Sequence, residues 1–291
     1  MNQTISIADI EKAALELIIR CSCELPPDVL GALQNAGARE IPDSPAAMQL
    51  EAILHNAGLA MRQQQPLCQD TGVPHFYIEH PQQLSVLEIQ HALEKSVAKA
   101  TKRGFLRPNA VDPLTEKNSG DNLGRAFPQF NFEEHDHPFL RIRCLLKGGG
   151  SENVSAQYSL PDADLHAGRD FSGVAACVSD TVFRAQGKGC APGIIGIGIG
   201  GDRVSGMKAA KEQLFRNLED TNPDSQLMAL EEELYKKLNQ LGIGPMGLGG
   251  KTTVLGVKAV ALHRLPACYF VSIAYMCWAC RRAEIRIGNP E

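Results

Sequence analysis

The chain has 291 residues, with 29 Lys and Arg against 33 Asp and Glu, a formal net charge of −4, and 44% apolar against 21% charged residues. That length holds one large domain or two small ones around a sizeable core, and the composition excludes intrinsic disorder. No basic excess exists to neutralise phosphates, which argues against a nucleic-acid partner.

Residues 6–64 read as helical, because Ile7, Ile10, Ala13, Ala14, Leu17 and Ile18 recur at helical spacing. Pro26, Pro27 and the run Pro42-Asp43-Ser44-Pro45 punctuate this region. A further helix takes Ser44 as its N-cap and Pro45 as its first residue and runs to about Gln64. Gln65 to Gly72 is polar and turn-like, His75 to Ile78 suits a short strand, and Leu84 to Arg103 is an amphipathic helix. Leu106 to Phe130 has almost no periodicity; a stretch that long without structure usually carries function. Phe139 to Leu146 alternates Arg141 and Arg143 with apolar neighbours and predicts a strand ending in Lys147-Gly148-Gly149-Gly150-Ser151.

A helix around Gly173 to Gln186 precedes Gly189-Cys190-Ala191-Pro192, and Ile194 to Gly200 reads as a short buried strand. Two helices follow, at about Val204 to Leu218 and Asp224 to Leu241. The tail holds a Gly-rich loop (Gly242 to Gly250), an apolar strand at Cys268 to Met276 and a last strand at Ala283 to Ile287, after which nothing reads as a further domain. The expected fold class is α/β, with α+β as the alternative. The helical N-terminal region (1–64) and a mixed-sheet region with Gly-rich strand ends (65–291) are expected to form one continuous domain.

The longest uncharged apolar stretch near the C-terminus, Ala267 to Ala279, is 13 residues, short of the roughly 20 a spanning helix needs. Asp9 and Glu11 near the start exclude a signal peptide. The expected location is the cytoplasm, where nine cysteines are thiols or ligands rather than disulfides.

Two glycine motifs invite nucleotide readings. Gly196-Ile197-Gly198-Ile199-Gly200-Gly201 satisfies the dinucleotide pattern and precedes a helix, and an oxidoreductase binding NAD there is a distant alternative. Its glycines lie within a strand rather than in the turn after it, which favours close backbone packing. Gly244 to Thr252 (GPMGLGGKT) resembles a phosphate loop, but Pro245 stands where the pattern requires its first Gly.

Cys21, Cys144, Cys177 and Cys268 lie in or beside apolar segments and read as small buried hydrophobes. Cys68, Cys190 and Cys277 sit where a strand or helix gives way to a loop, among small or polar neighbours. Three thiolates do not complete a four-ligand structural zinc site. They suit a four-iron cluster with one open iron. On spacing alone separate structural cysteines are the favoured reading, with the cluster and a redox pair at Cys277-x-x-Cys280 as the alternatives.

Seven segments in order resemble the α-type catalytic part of the iron–sulfur hydro-lyases, class I fumarate hydratase and L-tartrate dehydratase. They are Pro66 to Gly72 (PLCQDTG), Leu106 to Val111 (LRPNAV), Asn118 to Asn122 (NSGDN), Lys147 to Asn153 (KGGGSEN), Gly189 to Gly201, Ile243 to Gly250 and Met276 to Arg282 (MCWACRR). The resemblance implies a [4Fe–4S] cluster on Cys68, Cys190 and Cys277. It implies substrate contacts from Gln69, Asp70, Arg107, Gly148, Ser151, Glu152 and Asn153, with Asp70 suited to proton transfer. It also implies a separate β chain completing the site in an α2β2 assembly, and a small dicarboxylate substrate, fumarate first and L-tartrate as the alternative.

Relatives place an active-site His about a dozen residues before the third cysteine. Here that position is Leu265, and His263, 14 residues before Cys277, is the nearest candidate.

Overall fold

The computed structural model describes residues 5–288; the ends of the expected ranges, residues 1–4 and 289–291, lie outside it. Helices and mixed sheets make up an α/β fold. The backbone divides into two compact units, one of Met1–Pro26, Asn56–Gly149 and Arg281–Glu291, the other of Pro27–His55 and Gly150–Cys280.

The first unit is built on a four-stranded sheet of β1 (Val73–Pro81), β2 (Gln129–His135), β3 (Leu140–Lys147) and β8 (Arg281–Ile287), in the order β2-β1-β3-β8. β1 pairs parallel to β2 and antiparallel to β3, which pairs antiparallel to β8. Period-2 alternation sorts β3: Leu140, Ile142, Cys144 and Leu146 are fully buried. Arg141 and Arg143 take the other face, where both meet Glu79, at 3.3 and 3.4 Å. Two amphipathic helices cover the apolar face: α1 (Ile7–Cys23), capped by Ser6, and α4 (Val86–Lys102), capped by Ser85. Their Ile10, Leu17, Ile18, Ile89, Leu93 and Val97 join Phe76, Ile78 and the buried residues of β3 in one core. The aperiodic segment after α4 is held by short bridges, Val111 to Asn118 and Gly124 to Phe127.

The second unit carries β4 (Ala156–Ser159), β5 (Gly193–Ile199), β6 (Val254–Ala261) and β7 (Phe270–Met276) in the order β4-β7-β5-β6. β5 runs parallel to β6 and antiparallel to β7. Ile195, Ile197 and Ile199 turn one face of β5 into a core with α6 (Phe171–Ala185) and α8 (Ser225–Asn239). Gly196 and Gly198 line the opposite face, against α7 (Arg203–Gln213): a Cβ at either would stand 2.1 Å from the Ala210 carbonyl oxygen or 2.3 Å from that of Gly206. Gly196 and Gly198 of the motif that matches a dinucleotide pattern thus form a smooth strand face on which a helix backbone rests, while Gly200 and Gly201 turn the chain at positive φ into α7, whose Val204 and Ser205 N–H groups donate to the Asp202 carboxylate at 2.8 and 2.7 Å. α2 (Pro27–Arg39) also belongs to this unit: its Asp28 accepts a hydrogen bond from the Leu218 N–H at 2.9 Å. α3 (Pro45–Gln63) begins as its sequence predicts, the Ser44 hydroxyl accepting from the Ala47 N–H, and the division between the units falls inside it.

Several expectations are corrected. β2, β4, β6 and the five-residue helix α5 (Gly149–Asn153) have no counterpart in the sequence reading. The helix expected over Val204 to Leu218 stops at Gln213, because Arg216 turns inward to pair with Asp220 and Glu231, each at 2.7 Å. Cys268 is partly exposed in the loop before β7 rather than buried. Among the described residues no helix is long and apolar enough to cross a membrane.

Candidate active site

In the first unit the site residues gather where β1 begins and β3 ends. The loop between α3 and β1 presents Cys68, Gln69 and Asp70, then enters the sheet through Gly72, whose φ of 77° and close approach to the Lys147 backbone admit only glycine. Both oxygens of the Asp70 carboxylate accept main-chain hydrogen bonds, Oδ1 from the Gly72 N–H at 3.0 Å and Oδ2 from the Gly149 N–H at 2.8 Å. Gly148 stands beside that carboxylate: a Cβ there would lie 3.0 Å from Asp70 Oδ2.

The Arg107 loop is laced to the same place. Thr71 Oγ1 accepts from the Arg107 N–H at 3.0 Å and from Asn109 Nδ2 at 3.2 Å, and among the described residues the exposed Arg107 guanidinium reaches only the Gln69 carbonyl, at 3.4 Å. Buried Asn122 secures the loop from behind, accepting from the Asn109 N–H at 2.6 Å and donating to the Arg107 carbonyl at 2.7 Å. Thr71, Asn109 and Asn122 received no role from the sequence, although each lies in a segment that carries the resemblance.

In the second unit the antiparallel pairing of Ile194 with Met276 sets the start of β5 beside the end of β7. Cys190 and Cys277 therefore stand at one end of that sheet, and the Cys190 carbonyl accepts from the Trp278 N–H at 3.2 Å. Cys190 adopts a left-handed conformation, φ 53°, in the turn before β5. Tyr275, 1% exposed, packs at the same end; a Cβ at Gly189 or Gly193 would come within 2.5 or 2.6 Å of its ring. Burial pushes its phenol well above the ordinary range, and the neighbouring Cys277 and Cys190 add to the rise.

α5 is tied to the same end. The Ser155 hydroxyl donates to the Ser151 carbonyl and accepts from the Tyr275 N–H, so buried Ser151 and the adjoining Glu152 and Asn153 follow that strand end. The Glu152 carboxylate is engaged by Lys211 at 2.6 Å.

His263 is not brought to these residues. It is exposed in the loop after β6, at the end where Leu262 donates to Ile199 and Gly200 donates to Phe270. The seven residues of β7, roughly 23 Å at strand rise, separate that end from Cys277.

The nine cysteines are free thiols. Cys68, Cys190, Cys268 and Cys277 are partly exposed, and the other five are buried. Burial, with Glu24 beside it, raises the Cys23 thiol to about 11; burial together with Asp162 and Asp180 raises Cys177 to about 12. Among the described residues no three His, Cys, Asp or Glu side chains form a ligand set for a single metal ion. A cluster poses a different demand, since each cysteine binds a separate iron. Accessible sulfurs in loops at strand ends suit that demand, and the five buried thiols do not.

The fold, the glycine-lined strand ends and the paired loops define a class that comparison names. A family profile described as "Fumarate hydratase (Fumerase)" matches residues 11–286, and the chain belongs to that family. It is 48% identical over 275 residues to a "Putative fumarate hydratase class I" of Geobacillus stearothermophilus, covering 94% of this chain and 54% of the relative. It is 38% identical over 283 residues to a "Putative L(+)-tartrate dehydratase subunit alpha" of Methanocaldococcus jannaschii, covering 96% and 97%. An "L(+)-tartrate dehydratase subunit alpha" of Escherichia coli (strain K12) is 28% identical over 274 residues, covering 91% and 86%. The chain thus spans about half the length of the fumarate hydratase and nearly all of the M. jannaschii subunit.

Proposed function

We propose that this chain is the α-type catalytic part of an iron–sulfur hydro-lyase that reversibly hydrates fumarate to malate. The observation that carries the reading is the Asp70 carboxylate, pinned between two main-chain N–H groups two residues from Cys68, with the exposed Arg107 guanidinium laced to the same loop. Fixed donors for a dicarboxylate and a carboxyl group held still beside a sulfur ligand are what hydration at a cluster requires.

Cys68, Cys190 and Cys277 hold the [4Fe–4S] cluster. When bound, it supplies a Lewis acid for the hydroxyl oxygen that enters or leaves. Arg107 binds one substrate carboxylate through its fork, and Gln69, Gly148, Ser151 and Asn153 add polar contacts. Asp70 moves the proton, its orientation fixed by Gly72 and Gly149. Glu152 contacts substrate only by exchanging its bond to Lys211.

A separate β chain completes the enzyme in an α2β2 assembly. Relatives named as α subunits support this, as does the longer fumarate hydratase that this chain half covers. Free thiols throughout fit a reducing cytoplasm. The near-complete match to a tartrate dehydratase subunit supports L-tartrate as the second reading of the substrate.

The test is iron and sulfide content after anaerobic purification, followed by turnover with the β chain on fumarate and on L-tartrate. Cys68→Ser, Cys190→Ser and Cys277→Ser are each expected to lose iron and turnover together. Full activity in iron-free protein overturns the reading, and the ratio of kcat/KM on the two acids decides the substrate.

A further inference from the structure

Arg281 is among the largest fully buried side chains, 1% exposed, yet it is a cation. It opens β8 opposite Leu146, so its side chain shares the core-facing side of the sheet at the end where β3 runs into Lys147, Gly148 and Gly149. Its Nη1 donates to the Asp70 carbonyl oxygen at 2.6 Å, and among the described residues its Nε has no acceptor. Among the described residues it forms no ion pair within 4.0 Å. A buried guanidinium with one neutral acceptor is costly to the fold.

Gly148 shows what its position achieves. A Cβ there would lie 3.0 Å from Asp70 Oδ2 and 3.3 Å from Arg281 Nη2, so the missing side chain lets the carboxylate and the guanidinium face one another across that point. Asp70 is thereby held at three places: its carbonyl by Arg281, and its two carboxylate oxygens by Gly72 and Gly149.

We infer that Arg281 is a positioning residue, which fixes the Asp70 peptide so that the carboxylate keeps the orientation proton transfer needs. The inference rests on the proposed role of Asp70. A lysine at this position is a point charge on a flexible stem and does not reach the Asp70 carbonyl and the Gly148 side together.

The test is a double-mutant cycle in the cluster-loaded enzyme with its β chain, using Arg281→Lys and Asp70→Asn singly and combined. Arg281→Lys is expected to lower kcat about 10- to 100-fold with KM changed less than threefold, at unchanged iron content. In the Asp70→Asn background the same substitution is expected to change kcat less than threefold, because the orientation it disturbs no longer matters. Equal losses in both backgrounds overturn the inference, as does a loss confined to KM. Should Arg281→Lys fail to fold, Arg281→Gln enters the same cycle with the same expected outcomes. If Asp70→Asn alone keeps kcat within twofold, the role of Asp70 falls and this inference with it. If Asp70→Asn is impaired but the cycle is additive, only the inference about Arg281 falls.

Discussion

Glu40 shows how one carboxylate takes over a loop built like a phosphate cradle. Its oxygens accept from the Lys251 and Thr252 N–H groups at 2.9 Å, and a Cβ at Gly250 would press on them at 3.0 Å. The N–H groups that a phosphate would take in GPMGLGGKT are already satisfied by the protein itself. Glu40→Ala leaves both donors without their acceptor and is expected to cost about 1–3 kcal/mol, measured by denaturant unfolding. The cysteines give a second prediction at this scale. In cluster-free protein near pH 8, alkylation mapped by mass spectrometry is expected at Cys68, Cys190, Cys268 and Cys277. Cys23 and Cys177, with thiols raised to about 11 and about 12, are spared. Loading the proposed cluster is expected to protect Cys68, Cys190 and Cys277 and to leave Cys268 reactive; protection of Cys268 instead of any of the three refutes the proposed ligand set.

Among the elements, the close approach of β5 to α7 depends on glycine. Gly198→Ala drives a methyl group against the Gly206 carbonyl oxygen at 2.3 Å, where backbone faces backbone and neither side repacks cheaply. The expected loss is about 3 kcal/mol or more, read as a lower denaturation midpoint with cluster content per folded protein unchanged. The same elements show what is legible in a sequence and what is not. α1, α4, α6 and α8 carry amphipathic periodicity and capping residues, and β3 alternates cleanly, so each is readable from local pattern. β6 is not, because it is buried along most of its length, lacks alternation and carries Lys258 in its middle. That lysine is explained by partners distant in sequence, the Asp220 carboxylate at 2.6 Å and the carbonyl oxygens of Asp220 and Leu218 at 2.9 and 3.2 Å. β2 hides at the end of the aperiodic segment and exists by pairing with β1. The candidate site divides likewise: Cys68, Cys190, Cys277 and Arg107 stand out as residue types in loops, whereas Arg281 reads as one of two arginines after a cysteine until burial sets it apart.

For the whole molecule, acid sensitivity follows from the network around Asp220. Burial pushes this carboxyl up, but hydrogen bonds and charge from Arg216 and Lys258 outweigh burial and hold it below the ordinary carboxylate range. A depressed folded-state value gives stability that is fully present above the unfolded-state value of about 3.9 and is lost as pH falls through the folded value. The midpoint gap between wild type and Asp220→Asn is therefore expected to hold steady above about pH 5 and to close toward pH 3, followed by circular dichroism. A gap that widens on acidification contradicts that sign.

The alternation of chain segments between the two units has a practical consequence for anyone wishing to take the molecule apart. The backbone passes from one to the other four times, near residues 26, 55, 149 and 280. No single scissile point, and no gene truncation from either end, can therefore liberate one of them whole. Removing only the final eleven residues would strip an edge strand from the first sheet, so an isolated half must be assembled from non-adjacent coding pieces joined by artificial spacers.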